Sequence, residues 1–135
     1  MPFWNDVKEL DDEAYDALIV NELGRLRAQI NDRAVCELAF SLNNGKTCSI
    51  EHPSKPFGPE ALTGCANYHA RIRFEDGSAT WLLRVPQVTG FNTGFPVHLA
   101  EYLIRSEFAT LKFLENTTVP APRAFSFGIP SEGTD

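Results

Sequence analysis

Residues 67–86 read NYHARIRFEDGSATWLLRVP and contain the clearest structural signal of the chain. Apolar and polar side chains alternate on both sides of Asp76-Gly77, which is the pattern of two strands that each bury one face. Asp-Gly is a favoured two-residue turn, because both of its central positions require positive φ. The stretch therefore predicts an antiparallel hairpin in which Ile72 lies opposite Trp81.

Two helices and a short strand are predicted before this hairpin. Apolar residues recur at helical spacing behind Asp11 and Asp12, which can cap a first helix. A second helix is predicted from a cap at Asn31 to the Asn-Asn-Gly sequence at 43–45, since Asn and Gly tolerate the left-handed conformation that ends helices. Residues 46–52 follow as a short strand.

A long helix is predicted after the hairpin, from about 96 to 115, and a further strand at 123–129. Prolines between these two segments prevent the helix from continuing. Antiparallel strands with a helix inserted before the last of them favour an α+β fold rather than a doubly wound parallel sheet.

The composition restricts the class of protein. The 135 residues are 43% hydrophobic and carry a net charge of -6, which suits one globular domain and argues against nucleic acid or an anionic membrane as the main partner. The three cysteines, Cys36, Cys48 and Cys65, lack C-x-x-C spacing, so neither a disulfide framework nor a zinc site is indicated. Without a signal peptide or a long apolar run, a cytoplasmic location is expected.

Glu107 is an unusual residue of the predicted long helix. It falls between Leu103 and Leu111 on one helix face, and a buried carboxylate needs a cation or hydrogen-bond donors. Arg84, on the strand before the helix, is the natural partner, and its guanidinium could also contact a phosphate. The alternatives are a purely structural ion pair, or a glutamate at the edge of the face that reaches water.

Two further features point weakly to phosphate. The small-residue turn at 62–68 contains Gly64 and could bring backbone N–H groups close to an anion, although most such turns are only connections. One face of the hairpin, here called the basic face, carries His69, Arg71, Arg73 and Arg84. Such a face is more often simply solvated.

The order and spacing of four segments resemble the amino-terminal lobe of the aminoglycoside phosphotransferase family, and most closely its fungal phosphotransferase branch. These segments are G-x-x-N at 64–67, WLLRVP at 81–86, RSEFATLKFL at 105–114 and VPAPR at 119–123. The family is similar to protein kinases in fold. The resemblance covers about residues 47–129 and implies a helical extension at 1–45, a kinase-like N-lobe at 46–130 and a tail at 131–135.

The resemblance also implies site residues and a cofactor, ATP with magnesium. Gly64 and Asn67 match the ends of the loop that covers the phosphates. Arg84 occupies the place of the strand lysine that contacts them, and Glu107 matches the helix glutamate that pairs with that lysine. Leu82 is expected to form part of the adenine ceiling. An arginine in place of lysine departs from the wider family.

The motifs that transfer phosphate in this family, H-x-D followed by Asn and then D-x-G, do not occur in the 135 residues. Neither catalytic residues nor metal ligands are therefore predicted, and the chain is expected to resemble an incomplete enzyme: inactive by itself, weak or inert toward ATP, and prone to self-association. The alternatives are a non-enzymatic module that binds a protein through the long helix around Leu111 and Leu114, and an unrelated α+β domain with Arg84 and Glu107 as a surface pair.

Overall fold

The computed structural model describes the backbone of residues 2–55, 67–87 and 97–129, and the side chains of these ranges from residue 12 onward, Val97 excepted. The elements are helices α1 (Pro2–Gln29), α2 (Asp32–Leu42) and α3 (Val97–Leu114), and strands β1 (Cys48–Glu51), β2 (Asn67–Phe74) and β3 (Trp81–Pro86). The strands form an antiparallel sheet in the order β1-β2-β3. The α+β class and the antiparallel sheet are thus confirmed.

The chain divides into two compact units, Met1–Thr93 and Gly94–Asp135. The first contains α1, α2 and the sheet, and the second contains α3 and the segment that follows it. No described helix has both the length and the apolar character needed to cross a membrane. The predicted division of the chain at residue 45 remains a prediction.

Helix α1 begins earlier than the sequence suggested. It starts at Pro2, so Asp11 and Asp12 lie inside the helix and do not cap it. The fixed φ of proline suits a first helical turn, and neither glycine nor a second proline interrupts residues 3–11. Periodicity locates a buried helix face well, but it does not fix where the helix begins.

Helix α2 has the predicted ends. The Asn31 side chain caps it by accepting a hydrogen bond from the Ala34 N–H at 3.1 Å. At the other end, Asn44 and Gly45 have φ of 55° and 75°, and the Gly45 N–H donates to the Phe40 carbonyl at 2.9 Å. These left-handed residues satisfy a carbonyl at the helix end and turn the chain toward β1.

The hairpin has the predicted register. Ile72 pairs with Trp81 across β2 and β3, and Ile50 of β1 pairs with Ile72 on the other side. Burial alternates along β2 as the sequence pattern requires, with every second side chain buried. The apolar face that results carries Tyr68, Ala70, Ile72, Phe74, Leu83 and Val85 together with Cys48 and Ile50.

The turn between β2 and β3 differs from the predicted one. The Gly77 N–H donates to the Phe74 carbonyl at 3.1 Å, so Glu75 and Asp76 are the central residues. Gly77 has φ of 74°, whereas Asp76 does not have positive φ. The Asp76 carboxylate accepts the Ser78 N–H at 2.9 Å, a local contact that favours this alternative to the two-residue turn.

Both leading helices pack on the apolar face of the sheet. From α1, Ile19, Leu23 and Leu26 are buried with Tyr68 and Ala70. From α2, Ala39 packs with Ile72 and Phe74, and the Phe74 and Trp81 rings meet edge to face at 4.9 Å. Burial of these side chains is the main stabilising term of the first unit, at about 1.5–3 kcal/mol for each large one. The opposite face of the sheet is the basic face.

In the second unit, the segment after α3 turns back along the helix. The Phe127 ring lies 4.7 Å from the Phe108 ring, and the Ala124 N–H donates to the Glu115 carboxylate at 3.1 Å. The strand predicted at 123–129 is wrong, because this segment is irregular. Two prolines precede it and a side chain satisfies its backbone N–H, so it joins no ladder.

Candidate functional site

The alternation of β2 and β3 places the side chains of the basic face next to one another. Arg84 is directly opposite His69, and Leu82 is directly opposite Arg71. Side chains in such positions have Cβ atoms about 5 Å apart, and diagonal neighbours lie at about 7–8 Å. Arg84 is exposed and Leu82 is 52% exposed. The face therefore combines positive charge with an accessible apolar residue.

One carboxylate of the sheet joins this face. Glu51 of β1 pairs with Arg71 in the ladder and forms an ion pair with Arg73. The hydrogen bond from Arg73 holds the pKa of the Glu51 carboxyl below its ordinary value, and the charge of Arg71 contributes. Because Arg71, Arg73 and Arg84 share the face with this single strand carboxylate, the strand residues here keep a net positive charge.

Of the predicted site residues in the first unit, the three that the structure describes lie on or beside the basic face. Asn67 opens β2, is half-buried and pairs with Pro86. Leu82 and Arg84 are two residues apart on β3, so they project from the same side of the strand. Gly64 lies outside the described residues. Leu82 and Arg84 are thus placed together, as the sequence led us to expect.

Of the alternatives for Glu107, the structure favours a glutamate that reaches water over one on a core-facing stripe. Glu107 is exposed on α3, and its helical neighbour Leu103 is 48% exposed. The inner side of α3 instead carries Ala100, which is buried, and Phe108, which packs on Phe127. Arg84 belongs to the first unit and Glu107 to the second, so their pairing remains a prediction.

A hydrogen-bonded network that the sequence did not reveal joins three segments of the first unit. The His52 ring lies between Asp32, at 2.8 Å from Nε2, and the Tyr68 hydroxyl, at 2.6 Å from Nδ1. The His52 side chain is 7% exposed and Tyr68 is 3% exposed. A neutral ring satisfies both contacts when Nε2–H donates to Asp32 and Nδ1 accepts the Tyr68 proton.

This network has a structural role. Burial raises the pKa of the Tyr68 phenol, so the hydroxyl keeps its proton and remains a donor. Each contact satisfies a polar group that would be expensive to bury alone. His52 directly follows β1, and only the folded arrangement of α2, β1 and β2 brings its partners within reach.

The described residues contain no group of three or more histidine, cysteine, aspartate or glutamate side chains that could hold a metal ion. The candidate site thus provides positive charge and one apolar contact, without such a group of metal-ligand side chains among these residues. In comparisons with family models, with curated proteins and with solved structures, no significant match to this chain was found.

Proposed function

We propose that the basic face holds the phosphates of a nucleoside triphosphate, and that the chain corresponds to the N-lobe of a kinase-like phosphotransferase of the aminoglycoside phosphotransferase type. The activity proposed for the parent protein is transfer of the ATP γ-phosphate to a hydroxyl group. The role proposed for these 135 residues is to bind the nucleotide, without transferring its phosphate.

The placement of Leu82 and Arg84 carries this proposal. The apolar Leu82 side chain offers a surface on which the adenine base can pack. The neighbouring Arg84 guanidinium can hold the phosphates. Arg71, opposite Leu82, adds positive charge within the span of a triphosphate, and the imidazole of His69 lies opposite Arg84. Arginine suits this task because its planar fork donates two parallel hydrogen bonds to phosphate oxygens.

The chemistry of transfer is not assigned to this chain. A kinase-like reaction needs a residue that orients the acceptor hydroxyl and oxygen ligands for magnesium, and the family's motifs for both are absent from the sequence. The described residues hold no cluster of metal ligands. Magnesium supplied with the nucleotide would neutralise phosphate charge, while Arg84 and its neighbours orient the phosphates.

Arg84→Ala tests the proposal by titration of ATP in low-salt buffer, where screening of exposed charges is weak. We expect wild-type protein to bind with a dissociation constant on the order of 1 mM, and the variant to bind about tenfold more weakly, a loss of about 1.4 kcal/mol. Isothermal calorimetry, or the shifts of β2 and β3 amide signals in NMR spectra, measures both values.

Arg33→Ala is the matched control. It removes the same charge from an exposed position on α2, the helix that packs on the other face of the sheet. We expect no change in affinity for ATP. Absence of ATP binding by the wild-type chain at several times this concentration, or equal losses in the two variants, would refute the proposal.

Protein binding through α3 is a second candidate function, favoured by apolar side chains that the helix exposes. Tyr102 is 64% exposed and Phe113 is 70% exposed, the highest values among the large apolar side chains described. The sequence had suggested Leu111 and Leu114 as contact residues, but both are half-buried. Tyr102 and Phe113 are therefore better probes of such a surface, which is a candidate for self-association or for another protein.

A further inference from the structure

Helix α2 and strand β1 bring two free thiols together at a surface pocket. The pocket has a volume of about 430 Å3, and its lining includes Cys36, Phe40 and Cys48. Cys36 comes from the helix, and Cys48 is the first residue of the strand. Both are free and half-buried, so the sulfurs are sheltered while the pocket gives small molecules a route to them.

The distance between the two residues suits a covalent link. The Cys48 thiol donates to the Cys36 backbone carbonyl with 3.6 Å between Sγ and oxygen. A sulfur that touches the backbone of residue 36 lies close to the Cβ of that residue, and a disulfide needs Cβ atoms about 3.5–4.5 Å apart. The Cys48 thiol also interacts with the Cys36 side chain, so the two thiols are neighbours in the fold.

We propose that Cys36 and Cys48 form a dithiol site that is oxidised to an internal disulfide by a small-molecule disulfide, the chemical class of glutathione disulfide. The Cys36 thiolate attacks one sulfur of the reagent, which forms a mixed disulfide and releases one thiolate. Cys48 then loses its proton to solvent and attacks the Cys36 sulfur, which releases the second thiolate. The protein loses two electrons and two protons, and the reagent is reduced to two thiols.

The surroundings of Cys48 explain this order of steps. Burial raises the pKa of the Cys48 thiol to about 11, and its hydrogen-bonding contact with Cys36 adds to the rise. Near neutral pH Cys48 is therefore almost entirely protonated, and it is poorly suited to the first attack. In the mixed disulfide Cys48 is held beside the Cys36 sulfur, so proximity compensates for its small thiolate fraction. A weakly acidic thiol is also a poor leaving group, which slows reduction by attack at the Cys36 sulfur.

The experiment uses the full chain with Cys65→Ser, because Cys65 lies outside the described residues and could compete. The protein is equilibrated in buffers of reduced and oxidised glutathione, and remaining thiols are quenched by alkylation. The mass of the intact protein is then measured by mass spectrometry. We expect a product lighter by two hydrogens that carries no glutathione. The equilibrium constant for forming this disulfide should be about tenfold or more larger in the folded chain than in the urea-unfolded chain, since the native structure holds the two thiols close together.

Variants with one remaining thiol test the order of attack. In the Cys65→Ser background, Cys48→Ser is expected to stop at the mixed disulfide on Cys36, and Cys36→Ser to react at least about tenfold more slowly with glutathione disulfide at neutral pH. Equal equilibrium constants in folded and unfolded chains would overturn the dithiol site. A stable mixed disulfide as the end product of the two-thiol protein would also overturn it. Faster reaction at Cys48 than at Cys36 would overturn the proposed order of attack. Circular dichroism confirms that each variant remains folded.

Discussion

At the scale of single residues, Asp76 connects the hairpin turn to the segment that leads into β1. Its carboxylate accepts the Ser78 N–H at 2.9 Å and lies 3.1 Å from the Lys46 ammonium. Hydrogen bonds from Ser78, and then the contact with Lys46, lower the pKa of Asp76 to about 2. An exposed carboxyl group with so low a pKa marks a turn whose local contacts depend on the charged form.

This low pKa fixes the pH range in which Asp76 stabilises the fold. Its contribution is fully present above the unfolded-chain value of about 3.9 and is lost as the pH falls through about 2. We expect NMR titration of the Asp76 carboxyl carbon to show this low midpoint. Lys46→Ala should raise the pKa only part of the way toward the ordinary value, because Ser78 is the larger cause.

Lys112→Ala is the control for that titration, since it removes the same charge from a lysine that pairs with Glu115 and not with Asp76. It should leave the Asp76 midpoint unchanged. A wild-type midpoint at the ordinary aspartate value would show that neither Ser78 nor Lys46 contacts this carboxylate in solution.

Sequence reasoning succeeded at the residue scale where a local rule governs conformation. The Asn31 cap and the left-handed Gly45 follow from preferences that act within one turn of chain. It did not decide for Glu107, where the spacing of leucines left both burial and exposure open and the side chain is exposed. Helical spacing identifies residues that share a face, but packing with the rest of the chain decides whether that face is buried.

At the scale of elements, the β2–β3 hairpin depends on one left-handed glycine. Gly77 has φ of 74°, and a Cβ built there has no atom within 4 Å, so conformational strain is the only penalty for a side chain. We expect Gly77→Ala to lower the free energy of unfolding by about 1 kcal/mol. Urea denaturation followed by circular dichroism measures the change.

Gly24→Ala is the counterpart in a helix. Gly24 lies inside α1, and a Cβ there also has no atom within 4 Å. Alanine should stabilise this position by about 0.5–1 kcal/mol, because glycine is a poor helix former. If Gly77→Ala were as stabilising as Gly24→Ala, the turn in solution would not need positive φ at residue 77.

The elements also show why some predictions held and others did not. Side chains on a strand alternate with a period of two, so the pattern around Asp76-Gly77 fixed both faces of the hairpin and the pairing of Ile72 with Trp81. The turn itself was wrongly predicted, because Asp-Gly fits more than one turn type and the Ser78 contact selects between them. The segment expected as a strand at 123–129 is irregular, since two prolines precede it and its Ala124 N–H donates to the Glu115 side chain.

At the scale of the whole molecule, exposed apolar residues on α3 predict concentration-dependent association. Leu99, Tyr102, Leu103 and Phe113 recur at helical spacing, and none is buried. We expect light scattering coupled to gel filtration to show an average mass that rises with concentration. Phe113→Ser should suppress the rise, since it removes the most exposed of these side chains.

Leu18→Ser is the matched control for this experiment. Leu18 is 50% exposed on α1 in the first unit, and the change is likewise from an apolar to a small polar side chain. It should leave association unchanged, and neither change should alter stability by more than about 0.5 kcal/mol at such exposed positions. A wild-type chain that stays monomeric at high concentration would contradict self-association through the α3 surface.

The chain of hydrogen bonds from Asp32 through His52 to Tyr68 has a consequence for how β2 aligns with its neighbours. Sliding β2 by two residues would keep the same set of side chains turned toward α1, so apolar burial alone discriminates poorly against that error. The shifted strand would carry the Tyr68 hydroxyl away from His52 and leave two enclosed polar groups unsatisfied, at about 1–3 kcal/mol each. These three polar side chains therefore select one alignment among those that the hydrophobic pattern leaves nearly equal.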